Sequence, residues 1–370
     1  MVDVNTYSDN VVLPQDPLPT LKQYNDITYS FLKQLLLVKA KKQLITWSVF
    51  GLGVAAYIHR LGYERYVSAG VLVITGAIPY LLIWIGAKKL GPDNMKNRQD
   101  AFNSAKNLLV GQIRVGRAKR LPTCDVYYPS PASYNGKRKA KIGFVFYPGA
   151  LVDRTAYAPV ATMLSDRGIM VIVVNLEPTR LLLSAYNYNF KEKIERMISD
   201  ALSNSDTGDG GWVVDEWGIG GHSMGATAAV TAVAKEMSSI IKKVVLFGSG
   251  SFPDKTFSDC PPLRDVPGVK VLVINGSEDT FVTNTAFIPD KEKIFREKMP
   301  PVISSHAVGV ALAAGIRQYT IRETIEGGNH AGCASYGPQT FPFPDGIRTI
   351  TLEEQQTKTA KLTADFLLSY

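Results

Sequence analysis

The sequence predicts an α/β fold over residues 121–370, with a mostly parallel sheet, helices on both faces, and apolar helices of membrane length in front of it. Three observations predict it. From about residue 121, short and nearly continuous apolar runs alternate with longer helix-like stretches, the signature of strands buried on both faces. A Gly-His-Ser-Met-Gly motif sits between one such run and a helix. The stretch Val67–Ala87 holds no charged residue and is closed by Lys88 and Lys89.

Bulk properties agree. At 370 residues the chain has room for a core domain of about 250 residues plus an accessory part. It is 45% apolar and 20% charged, values of a folded rather than a disordered chain. The net charge is +8, and much of the surplus lies before residue 121, at Lys39, Lys41, Lys42, Lys88, Lys89, Arg114, Arg117, Lys119 and Arg120. No nucleic-acid motif accompanies these residues, so we read them as charge flanking a membrane. The three cysteines, Cys124, Cys260 and Cys333, have neither disulfide-rich nor zinc spacing, which fits a reducing compartment. No metal, no cofactor and no nucleic-acid partner is expected.

Residues 1–43 form a polar and amphipathic segment with Pro14, Pro17 and Pro19 near its start. No basic start precedes an early apolar run, so no cleaved secretory signal is expected. Residues 44–89 are the expected membrane segment. Val67–Ala87 is long enough to span a bilayer core of about 30 Å, and Pro79 is compatible with a membrane helix. Leu44–Ile58 is shorter, and makes a hairpin with the second segment if it extends backwards along the amphipathic stretch from Leu21. In that arrangement the basic outer flanks place both termini in the cytosol; with one span the orientation stays open. An integral membrane protein with a cytosolic catalytic domain is expected. Residues 90–120 read as a basic linker, and a fragment starting near Leu108 is expected to keep the whole catalytic part.

In the domain itself the expected strands are Cys124–Tyr128, Ile142–Tyr147, Ile169–Val174, Trp217–Gly220, Lys243–Phe247, Val269–Ile274 and Gln318–Ile325. The expected helices are Ala156–Arg167, Lys191–Leu202, Ala226–Lys235 and Lys291–Lys298.

The motif Gly221-His222-Ser223-Met224-Gly225 follows a strand and opens a helix. A serine on such a sharp turn needs small neighbours, and the helix N-terminus behind it favours developing negative charge. A lone serine is a poor nucleophile and needs a base and an orienting acid. With a serine elbow of this kind, the acid and then the histidine follow later in the chain. Of the four histidines, His59 lies in the membrane part and His222 in the elbow, where it is expected to point away. His330, in a glycine-rich loop just after the last strand, is the expected base, with His306 as the other candidate. Asp279, beyond the strand ending at Ile274, is the expected acid, with Glu278 as its neighbour of the same chemistry. Asp265 and Asp290 read as solvated loop charges. Two backbone N–H groups are needed for the oxyanion: that of Met224, and that of Ala150 in the Pro148-Gly149-Ala150 turn, with Leu151 the alternative to Ala150.

The blocks FYPGALVDRTAYAPVATMLSDRG, GGHSMGA, NGSEDTFV and EGGNHAGCASYGPQ together resemble the α/β-hydrolase "fold-5" family, close to dienelactone hydrolases and esterases. The resemblance covers residues 121–370 and implies the α/β-hydrolase fold. It also implies a triad of Ser223, Asp279 and His330, and a YPG block carrying Ala150 at the oxyanion hole. Two departures stand out. Cys333 stands where the family often has an aromatic residue, and Phe287–Ile316 is longer than the family pattern, long enough for a flap over the site.

The expected function is a membrane-anchored serine hydrolase of carboxylic esters or thioesters, small-molecule or lipid-like, with membrane lipids as neighbours. The alternatives from other classes are a catalytically silent membrane scaffold and an acyltransferase using the same site.

Overall fold

The computed structural model describes residues 98–130, 138–177, 180, 189–203, 211–249, 262–283, 291–339 and 344–369. The expected membrane segments 44–58 and 67–87 lie outside these residues, as do His59, Cys260 and Asp290. Among the described residues no helix is long and apolar enough to cross a membrane.

Eight strands form one sheet: β1 Ala118–Arg120, β2 Cys124–Tyr127, β3 Lys139–Tyr147, β4 Ile169–Val174, β5 Val213–His222, β6 Ile241–Phe247, β7 Lys270–Gly276 and β8 Tyr319–Ile325. Their order is β1-β2-β4-β3-β5-β6-β7-β8. β2 runs antiparallel to β1 and β4, and every other pairing is parallel. The parallel strands read IMVIVV, GIGGH and KVVLF because both their faces are buried.

Helices cover both faces. They are α1 Asn103–Arg114, α2 Ala158–Ser165, α3 Phe190–Ser203, α4 Met224–Ala232, α5 Thr280–Thr283, α6 Lys291–Lys298, α7 Val308–Ala313 and α8 Leu352–Leu368. On one face Phe190, Ile194 and Met197 of α3, Ala229 and Val230 of α4, and Phe295 of α6 pack with Val145, Ile219 and Leu246. On the other, Ala105 and Leu109 of α1, Val160 and Leu164 of α2, and Ala364 and Leu367 of α8 pack with Phe144, Val171 and Val245. The buried Lys243 of β6 donates to the carbonyls of Leu367 and Ser369, each at 2.8 Å, so a cation closes the C-terminal end of α8.

The structure departs from the sequence reading in three places. Residues 98–120, read as a basic linker, carry α1 and the edge strand β1. A boundary at Leu108 therefore cuts α1 in half and strips Ala105 from the core. Two of the basic residues read as lipid-facing are engaged in the fold. Arg120 grips the fully buried Asp125 through two hydrogen bonds of 2.8 and 2.7 Å, and Arg117 pairs with Asp166 at 2.7 Å. Finally, the described part of the expected flap does not reach the site through Pro301–Ile303. That segment lies along the outer edge of β8, where Thr320 N–H donates to the Pro301 carbonyl and Ile303 N–H donates to that of Thr320. Thr320 is near the N-terminal end of β8, whereas the candidate site follows its C-terminal end.

Candidate active site

The site gathers at the C-terminal ends of β3, β5, β6, β7 and β8. Ser223 caps α4 at φ 54°, ψ −117°, a left-handed conformation for a residue with a side chain. The close packing of the elbow explains its glycines. A Cβ on Gly225 would overlap the Tyr147 carbonyl, and one on Gly221 would overlap Gly225. Ser223 N–H donates to the Phe247 carbonyl at 2.9 Å, which ties the turn to the end of β6.

The structure brings Asp279 and His330 together. His330 Nδ1 lies 2.9 Å from Asp279 Oδ2, and both residues are buried. The other carboxylate oxygen of Asp279 accepts the N–H groups of Phe281 and Val282 at 2.9 and 3.1 Å, so the carboxylate is fixed from both ends. An Nδ1–H that donates to Asp279 leaves the lone pair on Nε2, the arrangement a general base needs. Nε2 is buried and hydrogen-bonds to no described residue, Ser223 included. Such bonds often form only when substrate is bound. Gly248, at φ 53°, makes room for the pair: a Cβ there would lie 2.8 Å from His330 Nδ1 and 3.2 Å from Asp279 Oδ2.

The competing candidates stand elsewhere. Glu278 accepts the Ser277 hydroxyl at 3.0 Å rather than meeting His330. His306 is exposed in a 3-10 turn, and Asp265 is exposed beside Arg264.

The N–H groups of the loop after β3 are distinguished by their partners. Gly149 N–H donates to the Tyr157 hydroxyl at 2.9 Å, and Leu151 N–H to the Arg180 carbonyl at 2.7 Å. Ala150 lies between them, half-buried, and its N–H has no acceptor among the described residues. The sequence alternative Leu151 is thus already engaged. Met224 is the first residue of α4, where the N–H groups have no acceptor within the helix.

His222 does not point away. Its ring centroid is 4.6 Å from that of His330, and its Nδ1 is 2.9 Å from the Tyr157 hydroxyl. That hydroxyl accepts from Gly149 N–H, and its own proton is free to go to an unprotonated His222 Nδ1. Burial, and then the charge His330 can carry, hold the His222 pKa well below its ordinary value. The elbow imidazole is therefore neutral beside the paired one.

Several residues of the site were not singled out from sequence. Asp345 accepts the N–H groups of His330 and Ala331 at 3.2 and 2.8 Å. Burial raises its pKa, against the pull of those N–H groups. Gln355 of α8 binds both the N–H and the carbonyl of Asn329. Phe281 stacks on the His330 ring at 4.3 Å and 22°. Each acts through backbone bonds or ring contacts across the fold, which leave no local motif. Burial pushes up the thiol of Cys333, which keeps it protonated and unreactive. Among the described residues no three His, Cys, Asp or Glu side chains stand close enough together to hold a metal ion.

Residues 143–305 match the Alpha/beta hydrolase family, Abhydrolase_5. Among solved structures the chain is similar to Est1E from Butyrivibrio proteoclasticus, at 13% identity and a TM-score of 0.35, over 68% of this chain and 98% of that one. It is also similar to a ferulic acid esterase from Streptomyces cinnamoneus, at 15% identity and a TM-score of 0.37, over 62% of this chain and 66% of that one. No curated protein matches the chain. The matched residues hold β4, β5 and the elbow at Ser223, and over them the chain is similar to that family.

Proposed function

We propose that the domain is a serine hydrolase that cleaves carboxylic esters or thioesters, with Ser223 as nucleophile, His330 as base and Asp279 as orienting acid. The observation that carries this reading is the buried Asp279–His330 pair at 2.9 Å, whose free Nε2 belongs to the same cluster of strand ends as the left-handed Ser223. In the first step Ser223 Oγ attacks the acyl carbon while His330 Nε2 takes its proton. The tetrahedral oxyanion accepts from the Ala150 and Met224 N–H groups. His330 then protonates the leaving alcohol or thiol, and water repeats the sequence on the acyl-enzyme. Each oxyanion donor is worth about 3 kcal/mol in the transition state, so the two N–H groups supply much of the rate.

The uncharged run Val67–Ala87 supports an anchored enzyme whose substrates include apolar, lipid-like esters. The test is labelling of the full-length chain with a fluorophosphonate, mapping of the adduct, and turnover of an ester panel of graded chain length. An adduct on Ser223 with ester turnover is expected. A chain that neither labels nor turns over esters overturns the reading in favour of a silent scaffold.

A further inference from the structure

We propose that Arg180 is the positioning residue of the oxyanion loop, and that it works through a latch formed with Gln99 and Asp100. The inference rests on the reading that Ala150 N–H receives the oxyanion.

Leu151 sits at φ 65°, and Arg180, whose carbonyl accepts the Leu151 N–H at 2.7 Å, sits at φ 52°. Two neighbouring residues with side chains in left-handed backbone persist only where the surroundings hold them. Here the surroundings are specific. Gln99 N–H donates to the Leu151 carbonyl at 2.9 Å, and Asp153 N–H donates to the Gln99 carbonyl at 2.9 Å. Gln99 and Val152 thus pair as a short parallel bridge that brackets the loop.

The Arg180 guanidinium binds that bracket on three sides. It donates to the Gln99 carbonyl at 3.1 Å and to Asp100 Oδ1 at 2.8 Å, pairs with Glu177, and stands 3.7 Å from Asp153. Burial acts to raise the Asp153 carboxyl, yet Arg180 and the Thr155 N–H hold it below its ordinary range. One residue therefore fixes the segment before α1, the residue after the loop and, through its own carbonyl, the loop itself. The result is a loop in which the Leu151 N–H is turned to Arg180, the Gly149 N–H to Tyr157, and the Ala150 N–H is left for substrate.

Arg180 touches no reacting atom in this account. Its loss should weaken an interaction realised in the transition state, so kcat falls while KM holds. The experiment compares the full chain with Arg180→Ala, Arg180→Lys and Gln99→Pro on a soluble ester and on its thionoester. Proline at 99 removes the N–H that holds the Leu151 carbonyl and leaves every side chain of the site in place. Sulfur is a poorer acceptor than oxygen, so an intact oxyanion hole discriminates against the thionoester.

We expect kcat for the ester to fall roughly 10- to 100-fold in Arg180→Ala and roughly 3- to 10-fold in Gln99→Pro, with KM little changed. Discrimination against the thionoester should shrink in both, and Arg180→Lys should recover part of the loss. A merely structural role would lower both substrates together. Folded Gln99→Pro and Arg180→Lys variants with wild-type kcat and wild-type discrimination overturn the latch while Ser223 still labels. A wild-type chain that fails to label at Ser223 overturns the hydrolase reading, and the latch with it.

Discussion

The ring of His222 stands 4.6 Å from that of His330, tilted by 42° to it, so the residue before Ser223 packs on the proposed base. His222 is fully buried, and its pKa is held well below the ordinary 6.5, first by that burial and then by His330. As pH falls below 6.5 the unfolded chain takes up a proton at this position and the folded chain does not. Stability is then lost by up to about 1.4 kcal/mol per pH unit, down to the folded pKa, whereas above the ordinary value the group adds no pH dependence. The Tm of His222→Gln should therefore fall less steeply than that of the wild type between about pH 7 and pH 5. An identical slope, measured by thermal melts in the same buffers, would refute a neutral, buried His222.

Gly248 offers a direct test of the acid–base pair. A methyl group there meets His330 Nδ1 at 2.8 Å and must also adopt φ 53°. Gly248→Ala should spread the Asp279–His330 contact and lower kcat by roughly 100-fold or more, with a stability loss of about 1–3 kcal/mol. Steady-state kinetics and melts on one preparation separate the two effects. Full activity would mean that the pair is not the working base.

For the proposed triad, Ser223→Ala and His330→Ala should each remove at least about a thousand-fold in kcat, and the double variant should be no worse than either, because residues of a working triad act as a unit. Asp279→Asn should cost as much or less, by losing the Nδ1–H acceptor. His306→Ala, at an exposed turn, should leave turnover intact. Harm from His306→Ala would point to a different base.

Much of this was legible in the sequence, for identifiable reasons. The strand Ile169–Val174 and the helix Lys291–Lys298 have the bounds that their patterns predict, because apolar runs and charge periodicity state them locally. α8 was missed although its signal was present: Thr351 and Glu354 form a capping box. β1 was missed because AKR carries no apolar pattern. It pairs with β2 through its backbone, and Arg120 reads as a surface charge until Asp125 is seen fully buried beside it. In the site, the serine and histidine stand in glycine-rich strand-to-loop junctions that sequence shows. The roles of His222, Asp345 and Arg180 arise from contacts between strand ends far apart in the chain, which no local pattern encodes.

The fold also sets where the chain can be cut. Leu109 is fully buried and Ala105 lies beside it in the core. A fragment starting at Leu108 loses the first turns of α1 as well as Gln99, and should be unstable by more than the roughly 2–5 kcal/mol of a single buried leucine. A fragment starting at Arg98 should be soluble and retain turnover, while the full chain should stay with membranes through a carbonate wash. Release of the full chain by carbonate would argue against an integral anchor.

The edges of the sheet carry a last consequence. An uncovered edge strand invites a strand from another molecule. Here β1 is three residues long, and the outer side of β8 is occupied at Thr320 by Pro301 and Ile303, next to two prolines of which neither has an N–H to offer. Among the described residues, β1 offers a template of only three residues and the start of β8 is already bonded at Thr320. Copies of the domain held side by side at high density would thus resist growing into one another's sheets.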